Sequence, residues 1–258
     1  MCGIAGLFAL QRERAVEPSL VAAMADRIRH RGPDGDGLHA GPGYALTQRR
    51  LAIVDIQGGA QPMGTADERL WVTYNGEIYN HLDLRAELEQ KGCVFRTKSD
   101  TEVLLHGYRT WGVELAAKLR GMFAFVLVDE DRHELYAARD RLGKKPLHWL
   151  LHDGMFAFAS ELKALHALGF VRRLRPDAIA QFLALRYVPD PATVFADVHK
   201  LPPAHWCTVR GGKVHQQRYW QLEFDDTAAG ARSADRAVHA RRVLELLDES
   251  VRIRLMGE

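Results

Sequence analysis

The second residue of the chain, Cys2, is a nucleophile at a position where it could also supply its own base. Removal of Met1 is expected when the next side chain is small, and it would leave Cys2 with a free α-amino group. That amine has an unperturbed pKa of about 7.7–8.0, so a useful fraction is neutral near pH 7. A thiol and a neutral amine on one residue can act as nucleophile and base, as the hydroxyl and α-amine of an N-terminal threonine do. While Met1 remains attached, we expect this chemistry to be absent.

The dipeptide Asn75-Gly76 is a second candidate for chemistry. Asn carries an uncharged donor, and Gly lets a ligand approach the backbone N–H closely. Together they could stabilise negative charge that develops on a carbonyl oxygen. The same dipeptide is also a strong short signal for a hairpin turn. Taken by itself, the dipeptide favours the turn.

The sequence contains no recognisable metal-binding motif. The three cysteines include no CxxC pair, which argues against a thiolate zinc site and against a disulfide framework. The segments DGDG at 34–37 and DEDR at 129–132 resemble calcium loops, but neither continues to a Glu at the twelfth position. We therefore predict no metal site in this chain.

Short strands and paired helices must position these residues. Apolar runs predict strands at 3–10, 44–48, 51–55, 70–75 and 122–129, and helical periodicity predicts helices at 81–92 and 100–112. The turn-rich segment RGPDGDG predicts a loop at 31–37. This mixture favours an α+β sandwich over an alternating βαβ fold. A polar stretch near 223–233 is typical of a linker, and 234–256 predicts one amphipathic helix.

The composition is that of a globular protein. The chain has 258 residues, of which 47% are hydrophobic and 26% charged, and its net charge is +2. These values exclude a disordered chain and give no reason to expect nucleic acid or a membrane as a partner. No apolar run is long enough for a membrane span, and no basic residue precedes the apolar N-terminus, so we expect a cytoplasmic protein.

Eight segments resemble a known family in their order and spacing. They include MCGIAGLF at 1–8, RHRGPDGDG at 29–37, RRLAIVD at 49–55, YNGEIYNH at 74–81 and RDRLGKKPL at 139–147. Over residues 2–220 the chain resembles the glutaminase domain of bacterial glutamine-dependent asparagine synthetases, a class II glutamine amidotransferase. This resemblance implies the N-terminal nucleophile hydrolase fold, a four-layer αββα sandwich of two antiparallel sheets.

The resemblance also implies a role for individual residues. Cys2 would attack the side-chain amide of L-glutamine, and Asn75 and Gly76 would hold the resulting oxyanion. Glutamate and ammonia would be the products, formed through a thioester on Cys2.

Substrate binding is implied at the residues that match the family's motifs. A planar guanidinium suits a carboxylate, so Arg50 would bind the α-carboxylate of glutamine. Asp100, with Glu77 close by, would bind the α-ammonium group. Ile53 and Val54 would contact the substrate through backbone carbonyls or side chains.

The expected organisation has three parts. Residues 2–220 form the glutaminase domain, 221–233 a linker, and 234–258 the first helix of an ATP-dependent synthetase domain. The pyrophosphate loop SGGxDS of such a domain does not occur in this sequence. We therefore expect no cofactor in this chain, and ATP and Mg²⁺ in the missing synthetase domain. The expected partners are L-glutamine, that domain and a second copy of the chain.

Three functions stay open at this stage. The first is hydrolysis of glutamine, which supplies ammonia for the amidation of aspartate to asparagine. The second is the same glutaminase serving another amide-forming ligase, in cell-envelope or peptide modification. The third is a non-catalytic domain that binds glutamine for regulation.

Overall fold

The computed structural model describes residues 1–53, 55–224 and 236–255, and these contain two six-stranded sheets. The first sheet consists of β1 (Gly3–Ala9), β2 (Gly35–Gly41), β3 (Tyr44–Arg50), β8 (His148–His152), β9 (Met155–Ala159) and β10 (His199–Lys200). The second consists of β4 (Met63–Gly64), β5 (Leu70–Ile78), β6 (Gly121–Asp129), β7 (Glu134–Arg139), β11 (His205–Arg210) and β12 (Lys213–Arg218). The helices are α1 (Pro18–Arg27), α2 (His81–Gln90), α3 (Asp100–Trp111), α4 (Leu115–Lys118), α5 (Leu162–Leu165), α6 (Pro176–Leu185) and α7 (Arg236–Arg252).

The sheets pack face to face between two layers of helices. The first sheet has the order β10-β8-β9-β1-β3-β2, and the second has the order β12-β11-β7-β6-β5-β4. Residues such as Phe8, Val126 and Phe158 fill the space between them. Helix α1 covers the outer face of the first sheet, while α2 and α3 cover that of the second. All strand pairs are antiparallel. The predicted four-layer αββα sandwich is confirmed.

The innermost strands are buried on both faces, which explains their sequences. All seven residues of β1, GIAGLFA, are buried because the strand has helix α1 on one side and the second sheet on the other. A strand covered on both faces has no position for an alternating polar residue. Gly6 has no space for a side chain, since a Cβ atom there would lie 2.6 Å from the Ala45 carbonyl oxygen.

Strand β4 is so short that part of β5 lies beyond it at an open edge. Its two residues pair with Trp71 and Val72 of β5 and reach no further. From Thr73 onward, side chains from elsewhere bind the backbone of β5 on this edge: Gln61 Oε1 accepts from the Tyr74 N–H at 2.7 Å, and Gln48 Nε2 donates to the Tyr74 carbonyl at 2.8 Å. The open edge leaves room for a ligand beside β5.

Two local predictions were wrong. Residues 51–53 and 55 form no strand, because Arg50 bonds to the carbonyl oxygens of Asp55 and Ile56 and turns the segment back on itself. The segment 31–37, predicted as a loop, already contains the start of β2 at Gly35, which pairs with Arg50. In both places long-range pairing overrides the local pattern of residues.

The C-terminal part of the described chain is one helix outside the sandwich. Helix α7 lies within the predicted helix 234–258, and it has no buried residue. Residues 225–233 of the predicted linker, and 234, 235 and 256–258 of the predicted helix, lie outside the described residues. In the described part of the chain no helix combines the length and the apolar character that crossing a membrane requires.

Candidate functional site

Cys2 lies at one end of the sandwich, directly before β1. In the β1–β3 pair Gly3 is opposite Arg49, so Cys2 is brought beside the end of β3. Its Sγ contacts the backbone of Leu51, 3.4 Å from N and 3.5 Å from O. Arg31 Nε donates to the Cys2 carbonyl oxygen at 2.9 Å. The nucleophile is therefore held through both its side chain and its backbone.

A small pocket opens next to Cys2, at the open edge of β5. Six of the eight predicted site residues line it: Cys2, Arg50, Ile53, Gly76, Glu77 and Asp100. Asn75 lies in β5 between the lining residues Tyr74 and Gly76, and Val54 lies outside the described residues. The structure thus brings together residues that are up to 98 positions apart in sequence, from Cys2 to Asp100.

Asn75 carries a buried donor with no protein partner. Its side chain is 1% exposed, and its Nδ2 has no hydrogen-bond partner within residues 1–53, 55–224 and 236–255. Leaving a buried amide N–H unpaired costs about 1–3 kcal/mol. An unpaired donor beside a pocket is suited to donate a hydrogen bond to an oxygen atom of a ligand.

The backbone N–H of Gly76 points to the same side as the pocket. Along an antiparallel strand the N–H groups alternate in direction, so residues 74, 76 and 78 face one edge. On that edge the Tyr74 N–H binds Gln61 and the Ile78 N–H binds Asp100. The Gly76 N–H therefore faces the open edge between them. A Cβ atom at Gly76 would lie 2.2 Å from the Met122 carbonyl oxygen, which explains why this position is glycine.

Two carboxylates form the acidic part of the pocket. Asp100 is the first residue of α3, and its Oδ2 accepts from the Tyr74 hydroxyl at 2.8 Å and the Ile78 N–H at 3.0 Å. Ser99 rather than Asp100 caps the helix, by accepting from the Thr101 N–H. Burial raises the pKa of Asp100. Burial and the nearby charge of Asp100 raise the pKa of Glu77 to about 7. A cationic ligand group would relieve this repulsion.

Burial also disfavours the charged forms of the thiol and of a neighbouring lysine. It raises the pKa of the Cys2 thiol, so this pocket does not store a thiolate. Lys145 is 7% exposed, and burial lowers the pKa of its ammonium group, while the charges of Glu77 and Cys2 act in the opposite direction. The thiol therefore needs a base before it can attack.

The guanidinium group of Arg50 lines the pocket and also holds the following loop. Its Nη1 donates to the Ile56 carbonyl at 2.8 Å, and its Nη2 donates to the Asp55 carbonyl at 2.7 Å. Arg50 and Asp100 both line the pocket, so it carries a guanidinium and a carboxylate among its lining groups.

Arg31 acts differently from its predicted role. The sequence predicts that Arg31 braces its own loop or pairs with Asp34, and that Arg49 is solvated. Instead Arg31 Nη1 forms a 2.8 Å ion pair with Glu161, and Asp34 accepts from the Ala52 N–H. The prediction for Arg49 is also wrong, because its guanidinium forms an ion pair with Asp26 at 2.6 Å.

Seven residues that line the pocket were not predicted as site residues, among them Gln48, Gln61 and Tyr74. Gln48 follows the apolar residues of β3 and is itself buried. Tyr74 stands in the segment YNGEIYNH, but its bond to Gln61 depends on the missing neighbour of β5, which no local pattern indicates. Among the described residues there is no group of three or more His, Cys, Asp or Glu side chains that could hold a metal ion.

The arrangement has the parts needed for acyl transfer from an amide. A thiol and the Gly76 backbone line one pocket, Asn75 next to Gly76 has an unpartnered donor, and groups of both charge signs line the same pocket. Such charges fit the carboxylate and ammonium ends of a free amino acid.

Comparison with known proteins gives a consistent result. A model of the family described as "Glutamine amidotransferase domain" matches residues 1–220. The chain is 41% identical over 231 residues to asparagine synthetase [glutamine-hydrolyzing] 1 of Bacillus subtilis, and the match covers 87% of this chain and 36% of that protein. It is 46% identical over 167 residues to asparagine synthetase [glutamine-hydrolyzing] 3 of Arabidopsis thaliana, with coverage of 64% and 28%.

A solved structure shares the fold. The glutamine phosphoribosylpyrophosphate amidotransferase of B. subtilis superimposes with a TM-score of 0.62 at 20% identity, over 85% of this chain and 50% of that one. At this identity the similarity concerns the fold alone. The chain spans less than half the length of the curated relatives described above.

Proposed function

The chain belongs to the glutamine amidotransferase domain family, and we propose that its Cys2 pocket hydrolyses L-glutamine to glutamate and ammonia. The observation that carries this proposal is that Cys2 and Gly76 line one pocket, and that Asn75, next to Gly76 in β5, has a buried Nδ2 without a partner among the described residues. A nucleophile and two oxyanion donors at one pocket are the parts that amide cleavage requires.

The substrate fits the pocket by its charges. The α-ammonium group of glutamine would lie against Asp100 and Glu77, which repel each other when both are ionised. The α-carboxylate would lie against the guanidinium of Arg50. Ile53 contacts the substrate from the pocket wall, and we assign the same role to Val54 because of its place in the sequence.

The reaction proceeds in two steps. The free α-amine of Cys2 accepts the thiol proton, directly or through a water molecule. The thiolate attacks the amide carbon, and the oxyanion rests on Asn75 Nδ2 and the Gly76 N–H. Ammonia leaves with the proton, and a γ-glutamyl thioester forms on Cys2. Water then hydrolyses the thioester to glutamate and restores the thiol.

A substitution at the nucleophile tests the proposal. The Cys2→Ala variant should release no ammonia from glutamine, while it folds normally, because removal of one half-exposed thiol leaves the packing of β1 intact. Ammonia and glutamate are measured together, and a Cys93→Ala variant serves as the matched control with an ordinary rate. Turnover by Cys2→Ala at the rate of the unsubstituted chain would refute the proposed function.

In a longer protein the ammonia would serve as the substrate of a second reaction. The relatives are named asparagine synthetases, and this supports ATP-dependent amidation of aspartate to asparagine by a further domain. We assign ATP and Mg²⁺ to that domain and no cofactor to this chain. Helix α7 supports the assignment, because Val243, Leu244 and Leu247 on it are exposed. We further propose a cytoplasmic protein that can form a homodimer.

A further inference from the structure

Asp55 does not line the pocket, but it bonds both to Arg50, which does, and to Lys98, two residues before Asp100. Its residue is half-buried, in the loop that follows Arg50, and its backbone has a φ of 47°. This left-handed conformation is uncommon for residues other than glycine, but Asp and Asn tolerate it better than most. The strained conformation is kept by four hydrogen bonds that converge on this one residue.

The backbone carbonyl of Asp55 is bound to Arg50. It accepts from Arg50 Nη2 at 2.7 Å and from the Gly59 N–H at 2.8 Å. The position of the Arg50 guanidinium is therefore fixed relative to Asp55.

The side chain of Asp55 is bound to the segment that precedes Asp100. Its Oδ2 accepts from the Lys98 N–H at 2.9 Å, two residues before Asp100, while its Oδ1 accepts from the Gly58 N–H at 2.8 Å. Lys98 leads directly into Ser99, the N-cap of α3, and Asp100 is the first residue of that helix. One carboxylate thus joins the loop of Arg50 to the helix that carries Asp100.

Gly58 shows how closely this carboxylate is enclosed. A Cβ atom at position 58 would lie 2.4 Å from Asp55 Oδ2 and 2.9 Å from Oδ1. Any larger residue would push the carboxylate away from the Lys98 N–H.

We propose that Asp55 is a positioning residue that sets the separation of Arg50 and Asp100, and so makes the pocket selective for a zwitterionic α-amino acid. The inference rests on the proposed function, in which those two residues bind the two charged ends of glutamine. A ligand that carries both charges needs both residues at a fixed spacing. A primary amide with one charged end can bind against one of them, so it does not depend on Asp55.

The test compares three ligands in the Cys2→Ala chain, which should bind them without turnover. L-glutamine has both charged ends, glutaramate lacks the α-ammonium group, and 4-aminobutanamide lacks the α-carboxylate. Calorimetry gives the dissociation constant of each ligand, with and without the additional substitution Asp55→Asn. Asn keeps the size and the left-handed tendency of Asp but loses one charged acceptor oxygen.

We expect Asp55→Asn to raise the dissociation constant of L-glutamine by about 10-fold, the effect of losing one hydrogen bond of about 1.4 kcal/mol. The dissociation constants of glutaramate and 4-aminobutanamide, which each carry one charge, should change by less than about 2-fold. Gly58→Ala should reproduce this pattern, because it displaces the same carboxylate. Asp131→Asn is the matched control, since Asp131 is exposed on the β6–β7 turn and pairs only at 3.5 Å with Arg69.

Two results would overturn the inference while the proposed function stands. In the first, Asp55→Asn leaves the dissociation constant of glutamine unchanged. In the second, it raises the dissociation constants of all three ligands by the same factor, as a purely structural role would. Failure of the Cys2→Ala chain with Asp55 intact to bind glutamine would overturn the proposed function, and this inference with it.

Discussion

Burial at Cys2 makes its thiol a poorer acid, although the proposed chemistry needs a thiolate. The pocket raises the pKa of Cys2 chiefly through desolvation, and the hydrogen bond with the Leu51 backbone opposes that effect. A base must therefore act at the moment of attack. The α-amine exposed when Met1 is removed would be that base, and the Met1 side chain is 60% exposed, where a processing enzyme can reach it.

Asn75 provides a prediction about rate. Replacing Asn75 by Ala removes the unpartnered Nδ2 donor, and loss of one oxyanion donor lowers kcat by about 10²–10³-fold. The KM for glutamine should change little, because the oxyanion exists only during the reaction. Steady-state ammonia release measures both constants. A kcat within about 3-fold of the unsubstituted value would exclude Asn75 as an oxyanion donor.

Glu77 provides a prediction about pH. Its pKa is about 7 in the folded chain, through burial and the charge of Asp100, against about 4.3 in an unfolded chain. The folded state thus holds this proton more tightly, so the stability it contributes is present below pH 4.3 and is lost as pH rises through about 7. Without glutamine, Tm should fall by a few degrees between pH 5.5 and 8.

The Glu77→Gln variant is the control for this effect. Gln keeps the shape of the side chain but cannot ionise, so the decline of Tm with pH should be shallower. Some decline of Tm with pH should remain in this variant, since burial raises the pKa of Asp100 as well. An identical decline in both proteins would show that Glu77 does not titrate in this range.

At the scale of elements, β5 determines where the site lies. Its centre is an ordinary inner strand paired with β6, but past Val72 it has no neighbouring strand on the other edge. Side chains of Gln48, Gln61 and Asp100 bind that edge instead, and the pocket forms among them. The chemistry at Gly76 is a consequence of a strand, β4, that ends early.

The sequence predicted the strands and helices that carry strong local patterns, but not this edge. The buried run of β1 and the amphipathic α3 were recognisable because burial dictates each of their positions. The two-residue β4 and the non-strand conformation of residues 51–53 and 55 were not, since each depends on contacts with residues far away in sequence. The catalytic residues were recovered through motifs, whereas the glutamines that complete the pocket carry no motif.

The packing of β1 gives a prediction about stability. Gly6→Ala places a Cβ atom 2.6 Å from the Ala45 carbonyl and from the Phe158 ring, so the free energy of unfolding should fall by about 1–3 kcal/mol. Urea denaturation measures the change. Gly35→Ala is the matched control in β2, because its Cβ would meet no atom closer than 4.0 Å. Equal stability of the two variants would contradict the described packing.

At the scale of the whole molecule, the sandwich is followed by helix α7, which has no buried residue. The contacts between them are polar: Arg120 forms an ion pair with Glu249 at 2.8 Å, and the Arg254 guanidinium lies 4.8 Å from the centre of the Tyr79 ring. The apolar residues of α7 face away from such contacts and are exposed. This division agrees with the proposal that α7 belongs to a further, ATP-dependent domain.

The central claim is that Cys2, with a free α-amine, forms a covalent intermediate with glutamine. Mass spectrometry of the intact chain, quenched with acid during turnover, tests it most directly. We predict a chain without Met1 that carries one γ-glutamyl group, located on the N-terminal peptide and absent from the Cys2→Ala variant. Steady hydrolysis of glutamine by a chain that retains Met1, with no adduct on Cys2, would contradict this account.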